Sequence, residues 1–408
     1  MNAAGGFGRR FWTLWLAFSA SNLGDGLALI SFPLLAVEVT DDARLVGLVA
    51  AFHFLPFLVI GLPAGVIIDR FDRRKLAMAA QVLRAAALLV VGLTALVGTS
   101  TIPLLVACAF VVGVGEVLTD GGLPAVVRDV VTQWQLEDAN ARLRASETVS
   151  NQFIGPPVGA FLFQFSWAAP FLLAAALYIT AICFLGVLTG DYKPEQEQDP
   201  GSFVSQMGTG LSYVWNHSVL RPLAFAVGLY ALVGSAHHSM AVLLVTERLG
   251  LSQVQFGLLL AADAVTAVVM SFFVSRLVKR TSHGFSMKVS VVTFAVHAFI
   301  FGFSLFVPLI VVGFLIGGIA DPTWNVVSAT VRQRLVDDEI FGRMMTAYLF
   351  IAWSVQPVGP ILGGVITETW GVEWVYIMSG ICVASLLVLA RPLFAKIDSA
   401  MAATADQT

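Results

Sequence analysis

Twelve apolar stretches, each long enough to cross a bilayer, alternate with short polar segments along this 408-residue chain. A hydrocarbon core about 30 Å thick takes roughly 20 residues of helix at 1.5 Å rise each. The stretches lie at approximately 11–37, 44–68, 76–97, 103–126, 146–166, 168–189, 219–245, 252–275, 286–305, 307–330, 346–367 and 373–391. With both termini in the cytoplasm, only Arg44 and Arg248 of the 23 Lys and Arg residues fall on the outer side. That split is the positive-inside pattern, and an odd number of spans or the opposite topology destroys it. Backbone polar groups in lipid must be satisfied within their own segment, so the expected fold class is all-α integral membrane.

Composition narrows the function. The chain is 58% apolar and 12% charged, where a soluble domain carries about 25% charged residues. A net charge of −3 gives no basic footprint for nucleic acid. Cys108, Cys183 and Cys382 all fall inside spans, where they read as small hydrophobes, neither a disulfide framework nor metal ligands. The first span follows Arg9 and Arg10 but is too long for a signal core and lacks an A-x-A site, so it is expected to stay as the first helix. No phosphate-cradling loop, nucleophile–base constellation or metal-ligand spacing is present, so neither an enzyme nor a bound cofactor is expected.

The longest polar stretch, DYKPEQEQDPGS at 191–202, separates six spans from six. Its Pro, Glu and Gln content suits a solvated linker. The segment after it, FVSQMGTGLSYVWNHSVL, reads equally as an amphipathic helix on the inner surface or as a plain loop. The expected domains are therefore an N-terminal six-helix bundle (1–190), a cytoplasmic linker (191–217) and a C-terminal six-helix bundle (218–408). The halves repeat. At an offset of 204, Gly113 meets Gly317, Arg128 meets Arg332, Gln152 meets Gln356, Gly155 meets Gly359, Pro156 meets Pro360 and Gly159 meets Gly363. Two parallel repeats of this kind are an architecture of secondary transporters.

The loop after the second span reads GVIIDRFDRRK, residues 65–75. It resembles the G-x-x-x-D-R-x-G-R-R signature of the major facilitator superfamily through Gly65, Asp69, Arg70, Arg73 and Arg74, with Asp72 where the pattern has Gly. GPPVG at 155–159 is similar to the antiporter motif of that superfamily, carried by Gly155, Pro156 and Gly159, and GPILGG at 359–364 repeats it. SNLGDG at 21–26, LEDANA at 136–141 and the segment leading to RPL at 221–223 resemble the third drug:proton antiporter family, which includes macrolide, multidrug and siderophore exporters. The resemblance covers nearly the whole chain. It implies the major facilitator fold, with twelve helices in two pseudo-symmetric bundles, and proton-coupled export of small molecules.

Residue by residue, Gly65 lets helices approach closely. Asp69 stands where it can cap a neighbouring helix and meet its dipole. Arg73 is expected to pair with Asp129 and so hold an inner gate; the alternative is that these charges only fix topology. The Gly-Pro pair removes a backbone donor and bends the fifth span.

Ionisable residues inside spans cost roughly 2.5–3.5 kcal/mol each on insertion scales, so their presence points to function. Asp25 lies mid-way along the first span, with Asn22 and Ser21 on the same helical face. Glu116 and Asp120 share a face of the fourth, Asp263 is central in the eighth, and Asp321 lies in the tenth. These five acids are the candidate proton-coupling residues, Asp25 first. Arg84, inside the third span, is expected to snorkel to the inner surface or to pair with Asp120 or Glu116.

His237 and His238 are adjacent in the seventh span and point about 100° apart, so they do not make a two-ligand metal site; one of them could face a cavity. His53 and His297 read as satisfied interhelical groups. Candidate substrate contacts are Asn22, Asp25, Phe32, His237, His238 and Trp324, because carboxyls and aromatic rings suit flat or cationic molecules. The expected partners are a small-molecule substrate, protons and membrane lipid, for a monomer in the plasma membrane. The alternatives are a dedicated exporter of a siderophore or other endogenous metabolite, and a membrane receptor that moves nothing.

Overall fold

Pro and Gly positions decide where the spanning helices stay whole and where they break. The computed structural model describes residues 7–190, 192, 203–336 and 338–405, and every regular element among them is helical. The first half contributes α1 (Arg9–Val39), α2 (Ala43–Val59), α3 (Gly61–Arg70), α4 (Arg73–Val97), α5 (Ile102–Val130), α6 (Leu136–Glu147), α7 (Gly155–Phe165) and α8 (Ala169–Val187). The second contributes α9 (Phe203–Asn216), α10 (Leu220–Ser239), α11 (Ala241–Leu243), α12 (Gln253–Arg280), α13 (His283–Phe303), α14 (Val307–Leu335), α15 (Asp338–Trp353), α16 (Val358–Trp370), α17 (Val372–Leu389) and α18 (Arg391–Ala405).

Among the described residues, nine helical stretches are long and apolar enough to cross a membrane, the pair α15–α16 counting as one. The other three expected spans are interrupted. The second divides at Ile60 into α2 and α3, after Pro56 inside α2. The fifth begins earlier than its apolar run, as α6, passes through a π-helical segment Thr148–Ile154, and ends as α7. The seventh runs through α10 and α11 into a second π-helical segment, Leu244–Arg248.

The break in the fifth span has a local cause. Pro156 has no N–H to give back to the preceding turn. The helix widens instead, and the Gly155 N–H reaches the Ser150 carbonyl five residues back. The repeat of this motif tightens where the first copy widens. Between α15 and α16 the amides of Gln356 and Gly359 bond three residues back, to Trp353 and Gln356.

Contacts divide the chain into two compact units. One lies within Met1–Asp41, Leu48–Glu197 and Gln253–Gly257, the other within Asp42–Gly47, Gln198–Ser252 and Leu258–Thr408. In the first, α1 packs against α8 and α7, and α4 against α5 and α8. In the second, α13 is central, packed on α14, α17 and α18, while α10 lies on α16 and α9 on α15. Small residues set these crossings, as in membrane helix packing generally. A Cβ on Gly155 would stand 2.6 Å from the Cα of Gly26 on α1. Its repeat partner Gly359 seats against Ser235 and Ala236 of α10. Gly113 of α5 lies against the His53 carbonyl of α2.

The segment after the linker is a helix, α9, which bends by 101° into α10. His217 sits at the corner, where its Nδ1 accepts from the amides of Val219 (3.1 Å) and Leu220 (3.2 Å) and so caps α10. Burial holds this half-buried imidazole below its ordinary value. A base whose folded pKa is lowered contributes stability that is complete above the unfolded value of about 6.5 and is lost as pH falls below it.

Two outcomes follow. Protection of the Val219 and Leu220 amides against hydrogen exchange should drop as pH falls below about 6.5, and His217→Asn, which keeps an acceptor, should remove that step. Gly113→Val should cost about 1–3 kcal/mol through overpacking, read as a lower melting temperature of the solubilised protein; an unchanged melt would contradict the close approach of α2 and α5.

Candidate functional site

Charge buried in a helix bundle has to be answered by a side chain from another helix, and in the first unit three helices supply the answer. Arg84 of α4 is 0% exposed and Asp25 of α1 is 2% exposed. Their side chains form an ion pair, closed by Tyr178 of α8. The Tyr178 hydroxyl donates to Asp25 Oδ1 (2.7 Å) and accepts from Arg84 (2.9 Å), and the guanidinium also lies 4.2 Å from the Tyr178 ring centre. Ser21, one turn before Asp25, accepts from Gln81 (2.7 Å) and Arg84 (3.2 Å). Two glycines make the room: a Cβ on Gly24 would lie 2.7 Å from the Tyr178 ring, and one on Gly115 would strike the Arg84 side chain.

Arg84 therefore neither snorkels nor pairs with Asp120 or Glu116 as the sequence suggests. Asp25 is nearer because the Ser21–Asp25 face of α1 turns toward α4. Glu116 of α5 meets His53 of α2 instead, Oε2 to Nε2 at 3.3 Å. Asp120, one turn further along α5, keeps a buried Oδ1 without a hydrogen-bond partner. Asn22 donates to the Phe18 carbonyl (2.9 Å), and its Oδ1 is buried without a partner. Phe32 is buried edge-on to Phe171, ring centres 5.4 Å apart, so its ring is engaged in packing.

The second unit carries a polar cluster of different chemistry on the corresponding three helices. His237 of α10 and His297 of α13 meet Nε2 to Nε2 at 2.6 Å. The Tyr376 hydroxyl of α17 donates to the His237 carbonyl (3.2 Å). Tyr230 donates to Asp321 Oδ1 (2.6 Å) and stacks on Trp324, ring centres 4.7 Å apart. Trp324 is 1% exposed, a core residue whose indole nitrogen is unpartnered. Asp263 of α12 approaches Gly317 of α14. His238 is exposed and turns its Nδ1 back to the Gly234 carbonyl (2.8 Å), so the adjacent histidines do diverge. Among the described residues no cation pairs with Asp120, Asp263 or Asp321.

The residues of the charged loop part company. Gly65 and Asp69 lie on α3, and their side chains fall outside the described residues. Asp72 caps α4, accepting from the Lys75 amide at 3.0 Å, the local role expected of Asp69 for a neighbouring helix. Arg70 is exposed, and Arg74 donates to the Gly186 carbonyl (3.1 Å). The expected pair of Arg73 with Asp129 is absent among the described residues: Asp129 is exposed on the last turn of α5, and the Arg73 backbone amide bonds the Tyr192 carbonyl (3.3 Å). Gly155 and Gly159 are buried against α1 at Gly26 and Ile30, with Pro156 between them at the start of α7.

Sequence reasoning missed Tyr178, Tyr376 and the pairings of His53 and His297. A Tyr within the last span of each half, mid-span at Tyr178 and in the first turns at Tyr376, was the available signal.

A model of the Major Facilitator Superfamily matches residues 14–355 and 223–405. The multidrug efflux pump Tap of Mycobacterium tuberculosis is 27% identical over 406 residues, covering 94% of each chain. Macrolide efflux protein A of Streptococcus pyogenes is 22% identical, covering 92% of this chain and 94% of its own. Among solved structures, a point mutant of the nucleoside transporter NupG superposes with a TM-score of 0.77 at 14% identity, over 95% of this chain and 100% of that one. A bacterial homologue of the iron transporter ferroportin gives 0.72 at 16% identity, over 96% and 99%.

Removing one member of a buried ion pair strands the other charge, at about 3–5 kcal/mol. Arg84→Met should therefore destabilise the solubilised protein by about that much, and the double change Arg84→Met with Asp25→Leu by clearly less. Additive losses in a thermal or denaturant melt would contradict the pairing.

Proposed function

The chain belongs to the major facilitator superfamily, and from that membership we propose that it exports hydrophobic or cationic small molecules by alternating access in exchange for protons. It is a multi-pass membrane transporter rather than an enzyme. The observation that carries the export reading is the full-length similarity to proteins named multidrug efflux pump Tap and macrolide efflux protein A. The named efflux pumps and the intramembrane acids point the same way.

Proton exchange needs a carboxyl that can take a proton in one state and face a cation in another. Of the five candidate acids, Asp25 and Glu116 are engaged by Arg84 and His53. Protonating Asp25 would strand Arg84 in the core. The weight of the proposal therefore moves to Asp120 in the first unit and to Asp263 and Asp321 in the second. Arg84, the cation deep in the first unit, is committed to Asp25, which argues against an anionic cargo there. Of the predicted substrate contacts, His238 is the one with an exposed side chain, and it is our candidate contact.

We read 1–190 and 218–408 as the two six-helix bundles and 191–217 as the linker. The charge split supports both termini in the cytoplasm, and we read the protein as a monomer of the plasma membrane.

Proteoliposomes carrying an imposed pH gradient and a panel of fluorescent cationic dyes test this. Dye-dependent proton movement is expected, and Asp120→Asn should reduce it by about 10²–10⁴-fold, the order of one lost proton-transfer group. Proton movement that survives Asp120→Asn but fails in Asp263→Asn or Asp321→Asn would shift the site to the second unit. No proton movement with any dye would sink the multidrug reading.

A further inference from the structure

His237 and His297 are 4% and 6% exposed and touch through their Nε2 atoms. A neutral imidazole has one donor nitrogen and one acceptor nitrogen. His297 Nδ1 lies 2.8 Å from the Gly313 carbonyl, which can only accept, so this nitrogen carries a hydrogen. In the neutral ring His297 Nε2 is then a lone pair, and His237 Nε2 must donate to it. That leaves His237 Nδ1 as a bare acceptor. The atom is buried and has no hydrogen-bond partner.

The arrangement has room for one added proton. It forms an N–H bond at His237 Nδ1 and makes that ring an imidazolium, while the Nε2–H of His237 still donates to His297. A second proton would have to enter at His297 Nε2, already covered by the neighbouring N–H at 2.6 Å, and would bring two N–H groups face to face. Phe294, Phe301 and Tyr376 wall the rings.

The charged and titratable groups around the pair are few. α12 brings Asp263 and α14 brings Asp321, the latter held by Tyr230 of α10. A Cβ on Gly317 would stand 2.8 Å from the His297 ring and 3.0 Å from Asp263 Oδ1, so ring and carboxyl approach the same spot across a residue without a side chain. α17 brings Tyr376, and Glu373, which lies 3.8 Å from Arg248. On α10, His238 turns away to Gly234. Lys288 of α13 lies over the Phe394 ring, nine residues before His297. α16 carries Glu368 toward its far end, and α15 carries an exposed Arg343.

We propose that His237 and His297 form a one-proton store in the second unit, loaded and emptied at His237 Nδ1, with Asp263 the carboxyl that approaches the pair at the His297 ring. The proposal rests on the proton-coupled reading above.

Ring 15N spectra of histidine-labelled, solubilised protein test the store without any transport. On acidification across about pH 4–9, the His237 and His297 rings should change together with uptake of a single proton. Two independent steps, or no step, overturn the proposal. In His237→Gln, which keeps a donor toward His297, dye affinity should lose its pH dependence and gradient-driven export should fall to background. Export with the unaltered pH profile would overturn the store and leave the export reading standing. If the unmodified protein moves no dye, the export reading fails, and the ring titration alone decides the store.

Discussion

A buried guanidinium with no counter-charge is among the most expensive objects a membrane bundle can contain, and the first unit is organised around answering one. Arg84 is fully enclosed, and its charge is met by Asp25 from a different helix. Tyr178 bonds both partners, which ties α1, α4 and α8 at one depth. The small residues of this region follow from that demand. Gly24 and Gly115 are where a side chain would displace the tyrosine or the arginine. The ion pair and the glycines are one feature: the charges need close helices, and close helices need bare backbone.

The second unit keeps the three-helix arrangement and changes the groups. The glycines at 113, 155 and 159 recur at 317, 359 and 363, and in the structure they mark helix crossings in both units. The polar side chains on α10, α13 and α17 do not repeat those on α1, α4 and α8. An ion pair in one unit is replaced by two imidazoles in the other. The ion pair is satisfied only while both partners stay charged. The imidazole pair is bonded to itself when neutral and leaves one buried nitrogen open. Packing residues are thus common to the halves, whereas the buried polar groups are distinct.

Most of the architecture was legible in the sequence, because hydropathy and the Lys/Arg split report directly on lipid and sidedness. The bend in the fifth span could be read from Pro156, whose missing N–H must disturb its turn wherever the helix lies. Partner identity was much less accessible. Helical spacing showed that Ser21, Asn22 and Asp25 share a face, but not that this face meets Arg84. The distinction between lining and packing also escaped: Phe32 and Trp324 are as apolar and aromatic as a drug site requires, yet both are core residues. Asp72 was legible in principle, since an acidic residue just before a helical run is a common N-cap. The resemblance to a glycine position drew attention to its neighbour Asp69 instead.

The distribution of answered and unanswered acids then constrains how such a chain could couple protons to transport. A carboxyl that always faces a cation has nothing to exchange, and Asp25 is held in that condition by Arg84. Glu116 is answered by His53, a partner that can itself change charge, so that pair could act only as a unit. Asp120, Asp263 and Asp321 have no such cation among the described residues, and they are spread over α5, α12 and α14, so acids without a paired cation occur in both units. Asp263 and the histidine pair share one opening at Gly317, where the bare backbone lets a carboxyl and a ring approach the same point. The carboxyl thus meets the pair on the His297 side, and a side chain at Gly317 would strike both groups.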